Sequence, residues 1–165
     1  KYYVSVRVLF PDRSLSKPSN EVVAVCGPRG EMELSIRYKS DRDGFSFEKN
    51  DYVGADALDN DLYFYAKDGI DYLVSPSHLG GFLKENRLQV LPFTGELHEV
   101  TSQFRAFKQQ PTQDRVVVQV GDWVHLLTPD NTHTLLHVLG LDGDGETRSV
   151  RLFYASSPLA GEAIF

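Results

Sequence analysis

The chain contains one cysteine, one methionine and one tryptophan in 165 residues. A single cysteine excludes an internal disulfide framework, and with it any zinc or iron–sulfur centre built on several thiolates. Cys26 ends the apolar run Val22–Val25, where a free thiol reads as a small buried apolar group. No histidine stands near it in sequence to act as its base. Long apolar runs are lacking as well: none approaches the ~20 residues that cross a bilayer, so membrane insertion is not expected. A clustered basic surface is also missing. Residues 41–71 hold nine acids against Arg42, Lys49 and Lys67, so this segment alone accounts for the net charge of −6. Phosphate backbones need grouped lysines and arginines, so nucleic acid is not an expected partner, nor is an anionic membrane. Also absent are the Gly-x-Ser-x-Gly elbow, the His-Glu-x-x-His pair, a phosphate-cradling loop and a dinucleotide fingerprint.

What is present is a chain that is 41% hydrophobic, with ten Phe and eight Tyr. That is too apolar and aromatic for disorder, and long enough for one full domain or two small ones. Period-two alternation dominates. Tyr2, Val4, Val6 and Val8 fall on one side of an extended chain; Met32, Leu34, Ile36 and Tyr38 repeat the pattern. The first alternation starts at the first residue, so the chain reads as a fragment beginning inside a β-domain. Gly27-Pro-Arg-Gly30 is a breaker cluster and the candidate domain boundary, leaving 1–26 as one unit and 31–165 as a compact β-domain.

Asp68-Gly69 suits a two-residue type I′ turn, because both central positions need positive φ. That turn sets Tyr65 opposite Tyr72, Phe64 opposite Leu73 and Tyr63 opposite Val74. Phe45 and Phe47 share one face of a short strand, and residues 50–60 read as irregular. Arg87–Pro92 reads as a short strand. Over 96–109 the period changes: Leu97, Val100, Phe104 and Phe107 recur at helical intervals, and Pro111 ends the run. Val116–Val120, Trp123–Leu127, His133–Leu141 and Ser149–Ala155 then form a meander of three or four strands. The expected fold is therefore mainly β: an antiparallel sandwich or small barrel with one amphipathic helix. Ile164-Phe165 at the C-terminus is placed to tuck against the core.

Tyr2-x-Val4-x-Val6-x-Val8 followed by Ser16-Lys-Pro18-Ser19-Asn20-Glu21-Val22 resembles the last two strands of a fibronectin type III domain. The likeness covers residues 1–26 and departs at Leu9-Phe10-Pro11, where that family commonly has a small residue followed by Asn or Asp. It implies a sandwich remnant beside another unit. Together with the composition, it implies a secreted, extracellular or periplasmic module of a larger bacterial protein. Such modules commonly act as spacers or interaction domains, although fold alone does not fix function.

Tyr63, Tyr65 and Tyr72 share the hairpin face opposite Leu62, Phe64, Ala66 and Leu73. Phenol rings with polar tips make a candidate aromatic platform for a glycan or a protein partner, with Asp59 and Asp61 as polar contacts. The bland reading is cross-strand packing. Asp142-Gly-Asp-Gly-Glu146 carries fragments of a calcium-loop pattern, but it equally supplies the residues a hairpin turn needs. His125, His133 and His137 lie on one sheet face if Pro129-Asp-Asn131 is a three-residue loop. Residues four apart on a strand are about 13 Å distant, so His133 and His137 cannot share one ion. Ser75-Pro-Ser-His78 puts a hydroxyl beside an imidazole without triad spacing. The sequence therefore favours a non-catalytic β-module needing no cofactor. The alternative is a carboxylate-dependent hydrolase, acting for example on carbohydrate, with its acids drawn from residues 41–71.

Overall fold

The computed structural model describes residues 2–4, 7–17, 22–24, 27–107, 109–162 and 165. Strand β1 (Tyr2–Val4) pairs antiparallel with β2 (Val22–Ala24), and Tyr2 lies opposite Ala24. A tight turn lies between them, in which the Phe10 N–H donates to Ser14 O. Residues 7–9 of the expected first strand are exposed and irregular apart from a Leu9–Leu15 bridge, because the tight turn begins there. Cys26 and residues 5–6, 18–21 and 25 lie outside the described residues, so the resemblance over 1–26 stays a resemblance.

Two antiparallel sheets of five strands each form the rest. The first has the order β3 (Arg29–Ser35), β12 (Ser149–Ser156), β11 (His133–Asp142), β10 (Trp123–Leu127), β8 (Arg87–Val90). The second runs β5 (Asp51–Val53), β4 (Gly44–Ser46), β6 (Leu62–Lys67), β7 (Ile70–Val74), β9 (Arg115–Val117). The expected β fold is thus found, as is its helix, α1 (Leu97–Ala106).

Alternation decides what goes between the sheets. Val124 and Leu126 of β10 point inward with Leu136 and Val138 of β11 and Val150 and Leu152 of β12, all fully buried. They meet Leu62, Phe64 and Leu73 of the second sheet, the side of the hairpin read as core. Phe45 and Phe47 enter the same layer, edge-on to each other at 5.3 Å. Each such side chain contributes roughly 1.5–3 kcal/mol on burial, which is why the inward positions are almost uniformly apolar. Outward-pointing Trp123 and Leu135 form a second core with Val100 and Phe104 of α1, onto which Leu97, Phe107 and Phe165 pack. The tuck expected of Phe165 is present, its ring 5.7 Å from that of Phe104; Ile164 lies outside the described residues. Among the described residues no helix is long and apolar enough to cross a membrane.

Several expectations change. The segment 50–60 contains β5, a strand too short and too acidic to alternate visibly. β9 ends at Val117, and it joins the second sheet by pairing with β7 rather than extending the meander of β10, β11 and β12. The breaker cluster is itself partly strand, because β3 begins at Arg29, opposite Ala155. The sheets also meet along their sides. The Arg37 N–H donates to Phe64 O at 3.0 Å beside the Ile36–Phe64 bridge, and the Leu88 N–H donates to Gln113 O at 2.7 Å.

Candidate functional site

The hairpin of β6 and β7 turns at Asp68 and Gly69 with φ of 53° and 77°, the positive values a type I′ turn requires. Its register is the expected one, Tyr63–Val74, Phe64–Leu73 and Tyr65–Tyr72. The three tyrosines do share the outer face, but they do not share an environment. Tyr63 is 1% exposed, packed with Ala55 and Val74 in a small outer core, with Leu79 against it. Burial pushes its phenol pKa up. Tyr63 is therefore a packing residue rather than part of an open platform. The loop leading into β6 folds back over that end of the hairpin, which the alternation pattern could not reveal. Tyr65 and Tyr72 remain half-buried, with ring centroids 6.3 Å apart and planes tilted by 32°.

Cations flank these rings. The Arg37 guanidinium lies 5.6 Å from the Tyr65 centroid and 4.4 Å from that of exposed Tyr38. Arg115 lies 5.7 Å from the Tyr72 centroid, and Lys67 ends the same face of β6. Both arginines are within cation–π range. His78 stands at the rim, its Nδ1 2.9 Å from Asp114 Oδ2 and its Nε2 3.4 Å from Arg115 Nη1. The hydrogen bond to His78 holds the Asp114 carboxyl below its usual range. The neighbouring hydroxyls point elsewhere: Ser75 Oγ donates to Lys84 O and lies 3.0 Å from Ser77 Oγ.

The acids proposed as polar contacts are engaged in the fold. Asp61 is 2% exposed; its Oδ2 accepts the Phe47 N–H at 2.8 Å and its Oδ1 accepts Lys84 Nζ at 2.8 Å. Asp59 pairs with Lys49, whose hydrogen bond lowers the carboxyl pKa. Asp43 accepts the N–H groups of Tyr38 and Ala55. Asp71 receives Arg148. Four of the nine acids of residues 41–71, Asp43, Asp59, Asp61 and Asp71, thus engage backbone N–H groups or cations of the fold, while Asp41, Glu48, Asp51, Asp56 and Asp68 are exposed. In the Asp/Gly loop, Asp142 pairs with Arg151 and Glu146 with Lys39, and Gly143 O accepts Arg148 Nη1.

The histidines land in the expected register, Trp123 opposite His137 and Leu127 opposite His133. Sequence reasoning missed the contact this register creates. His125 and His133 meet side by side, Nε2 to Nδ1 at 2.9 Å with ring planes within 2°, beneath the Phe104 edge. Diagonal positions on adjoining strands supplied the signal. Desolvation, followed by the neighbouring His133, drives the His125 pKa down to about 3; desolvation lowers His133 too. His137 instead lies flat on Trp123, 4.4 Å between centroids. Among the described residues no group of three or more His, Cys, Asp or Glu is gathered as a metal-binding set.

Comparison with protein-family models, with curated proteins and with solved structures finds no match to this chain.

Proposed function

We propose that the chain is a non-catalytic, extracytoplasmic β-sandwich module that binds a protein partner through its Tyr65–Tyr72 face, and that the partner presents carboxylates. The observation that carries this reading is the pair of half-buried tyrosine rings flanked by Arg37 and Arg115. Tyrosine and arginine are the residue types over-represented at the energetic centres of protein interfaces. The guanidinium groups already sit beside the rings, so the surface offers paired donors for an acidic side chain more readily than a bare face for a sugar. This local cation cluster on a chain of net charge −6 supports a partner of opposite local sign. The resemblance of residues 1–26 to fibronectin type III strands supports an interaction role outside the cytoplasm.

The test probes an array of acidic peptides and an array of glycans with the wild-type protein and with Tyr65→Ala/Tyr72→Ala. Capture of acidic peptides, lost in the tyrosine variant and in Arg37→Glu/Arg115→Glu, is the expected result. Undiminished capture by the tyrosine variant overturns the assignment. Glycan capture that disappears with the tyrosines transfers the site from protein to carbohydrate recognition.

A further inference from the structure

The opposite side of the sandwich carries a cavity of about 290 Å³ between β3, β11, β12 and the start of α1. Its aromatic wall comes from the Trp123–His137 stack and from Phe153, whose ring stands edge-on to Trp123 at 6.4 Å. Leu97 closes one side. Glu31 and Glu96, both exposed, supply the carboxylates, and among the described residues no lysine or arginine lines the space. Two arginines share this face outside the lining: Arg151, held by Asp142 at 3.0 Å, and Arg29, two residues from Glu31 on β3. Glu99, the remaining acid of this turn of α1, directs its carboxylate to the Glu96 N–H at 2.9 Å. Burial lowers the pKa of His137, outweighing the opposite pull of Glu96, so near neutral pH the imidazole adds no competing positive charge.

We propose that this cavity is a receptor for a guanidinium group, that of an arginine side chain on a protein partner. Three features favour it. The half-buried rings of His137 and Phe153 attract a weakly hydrated planar cation, with Trp123, 2% exposed, backing His137. Two carboxylates can accept its forked donors. The volume, near the lower end of ligand pockets, fits one side chain rather than an extended ligand. The proposal does not depend on the tyrosine face, which lies on the other sheet.

Trp123 is the chain's single tryptophan, so its fluorescence reports on this cavity directly. The probes are N-acetylarginine amide, its uncharged isostere N-acetylcitrulline amide, and cellobiose, with calorimetry on the same pairs to register binding that leaves the fluorophore unchanged. Saturable binding of the arginine probe is expected, with the citrulline probe weaker by roughly tenfold or more, as loss of charge-assisted hydrogen bonds implies. Glu31→Gln/Glu96→Gln should weaken the arginine probe about as much. The hydrogen bond from the Glu96 N–H to the Glu99 carboxylate does not involve the side chain at 96, so the melting temperature should hold. Equal affinity for both amides, no saturable binding to the wild-type protein by either method, or binding of cellobiose alone overturns the proposal. The wild-type comparison decides the matter even if a variant misfolds. Tyr65→Ala/Tyr72→Ala should bind the arginine probe normally, so either site can fail without the other.

Discussion

Arg148 closes on Asp71 across the two sheets, Nε–H donating to Oδ1 at 2.9 Å and Nη2–H to Oδ2 at 2.6 Å. Asp71 sits on β7, and Arg148 lies in the turn between β11 and β12. The ion pair therefore fastens one layer of the sandwich to the other, while Arg148 Nη1 also ties down Gly143 O at 2.8 Å. Asp71 is 8% exposed, whereas the Arg148 side chain keeps 25% of its surface, so removing the carboxylate leaves a guanidinium that water still reaches. Asp71→Ala should cost about 1.5–3 kcal/mol, the scale of a lost charge-assisted hydrogen bond, measured as a lowered urea midpoint at unchanged slope. Asp71→Leu/Arg148→Met should recover much of that loss, because it leaves no unpaired charge.

The outer tyrosines separate packing from recognition. Tyr63→Ala should destabilise the protein by about 3 kcal/mol or more, as a large buried ring leaves a cavity. Tyr65→Ala and Tyr72→Ala should each cost only about 0.5–1 kcal/mol, the scale of a half-buried cross-strand pair. Thermal denaturation of the three variants checks this ordering. Equal losses at all three positions would mean that Tyr65 and Tyr72 serve as core.

The histidine pair sets a pH dependence. Folding lowers the His125 pKa from 6.5 to about 3, so the unfolded chain binds a proton that the folded chain refuses. Stability is full above pH 6.5, falls as pH drops below that value, and stops falling from this source near pH 3. Each pH unit within the window removes about 1.4 kcal/mol, giving a loss of roughly 2–3 kcal/mol by pH 4.5. Depressed carboxylates such as Asp59 and Asp130 act in the same direction, but only at lower pH, around and below their ordinary value of 3.8. The slope between pH 6.5 and 4.5 therefore isolates the imidazoles. Urea titrations across that interval should flatten in His125→Phe. An unchanged slope would show that another group takes up the proton.

Thr134 and Ser156 offer a compact test of interior polarity. Their hydroxyls bond each other at 2.8 Å, with residue exposures of 0% and 4%. Thr134→Val alone leaves the Ser156 hydroxyl without that partner and should cost about 1–3 kcal/mol, whereas adding Ser156→Ala should restore most of it. A double-mutant cycle in urea reads the difference.

Where period and turn chemistry act locally, the sequence was legible. The Asp68-Gly69 turn fixed the whole register of β6 and β7, and Leu97, Val100, Phe104 and Phe107 marked the buried stripe of α1. The three-residue Pro129–Asn131 loop placed every cross-strand partner of Trp123 through Leu127. Long-range assembly was not legible. Nothing local distinguishes an acid that accepts buried N–H groups, as Asp43 and Asp61 do, from one that faces water. The covering of Tyr63 by the 54–60 loop depends on contacts that alternation cannot express. β9 changed sheets for the same reason: three residues carry no mark of which neighbour they will join. Tyr65 and Tyr72 lie on the outer face in the expected register, whereas the arginines beside them were not anticipated. Arg37 and Arg115 come from segments remote in sequence from the hairpin.

The lateral seams limit how this molecule can be recognised. Where residues 36–37 run beside β6, and where Leu88 meets Gln113, main-chain donors at the sheet margins are consumed internally. The Tyr52 hydroxyl likewise accepts the Glu33 N–H on β3, a strand at the margin of its sheet. At these three points the donor is already taken, which disfavours addition of an extended peptide there. Contacts at these seams are left to side chains.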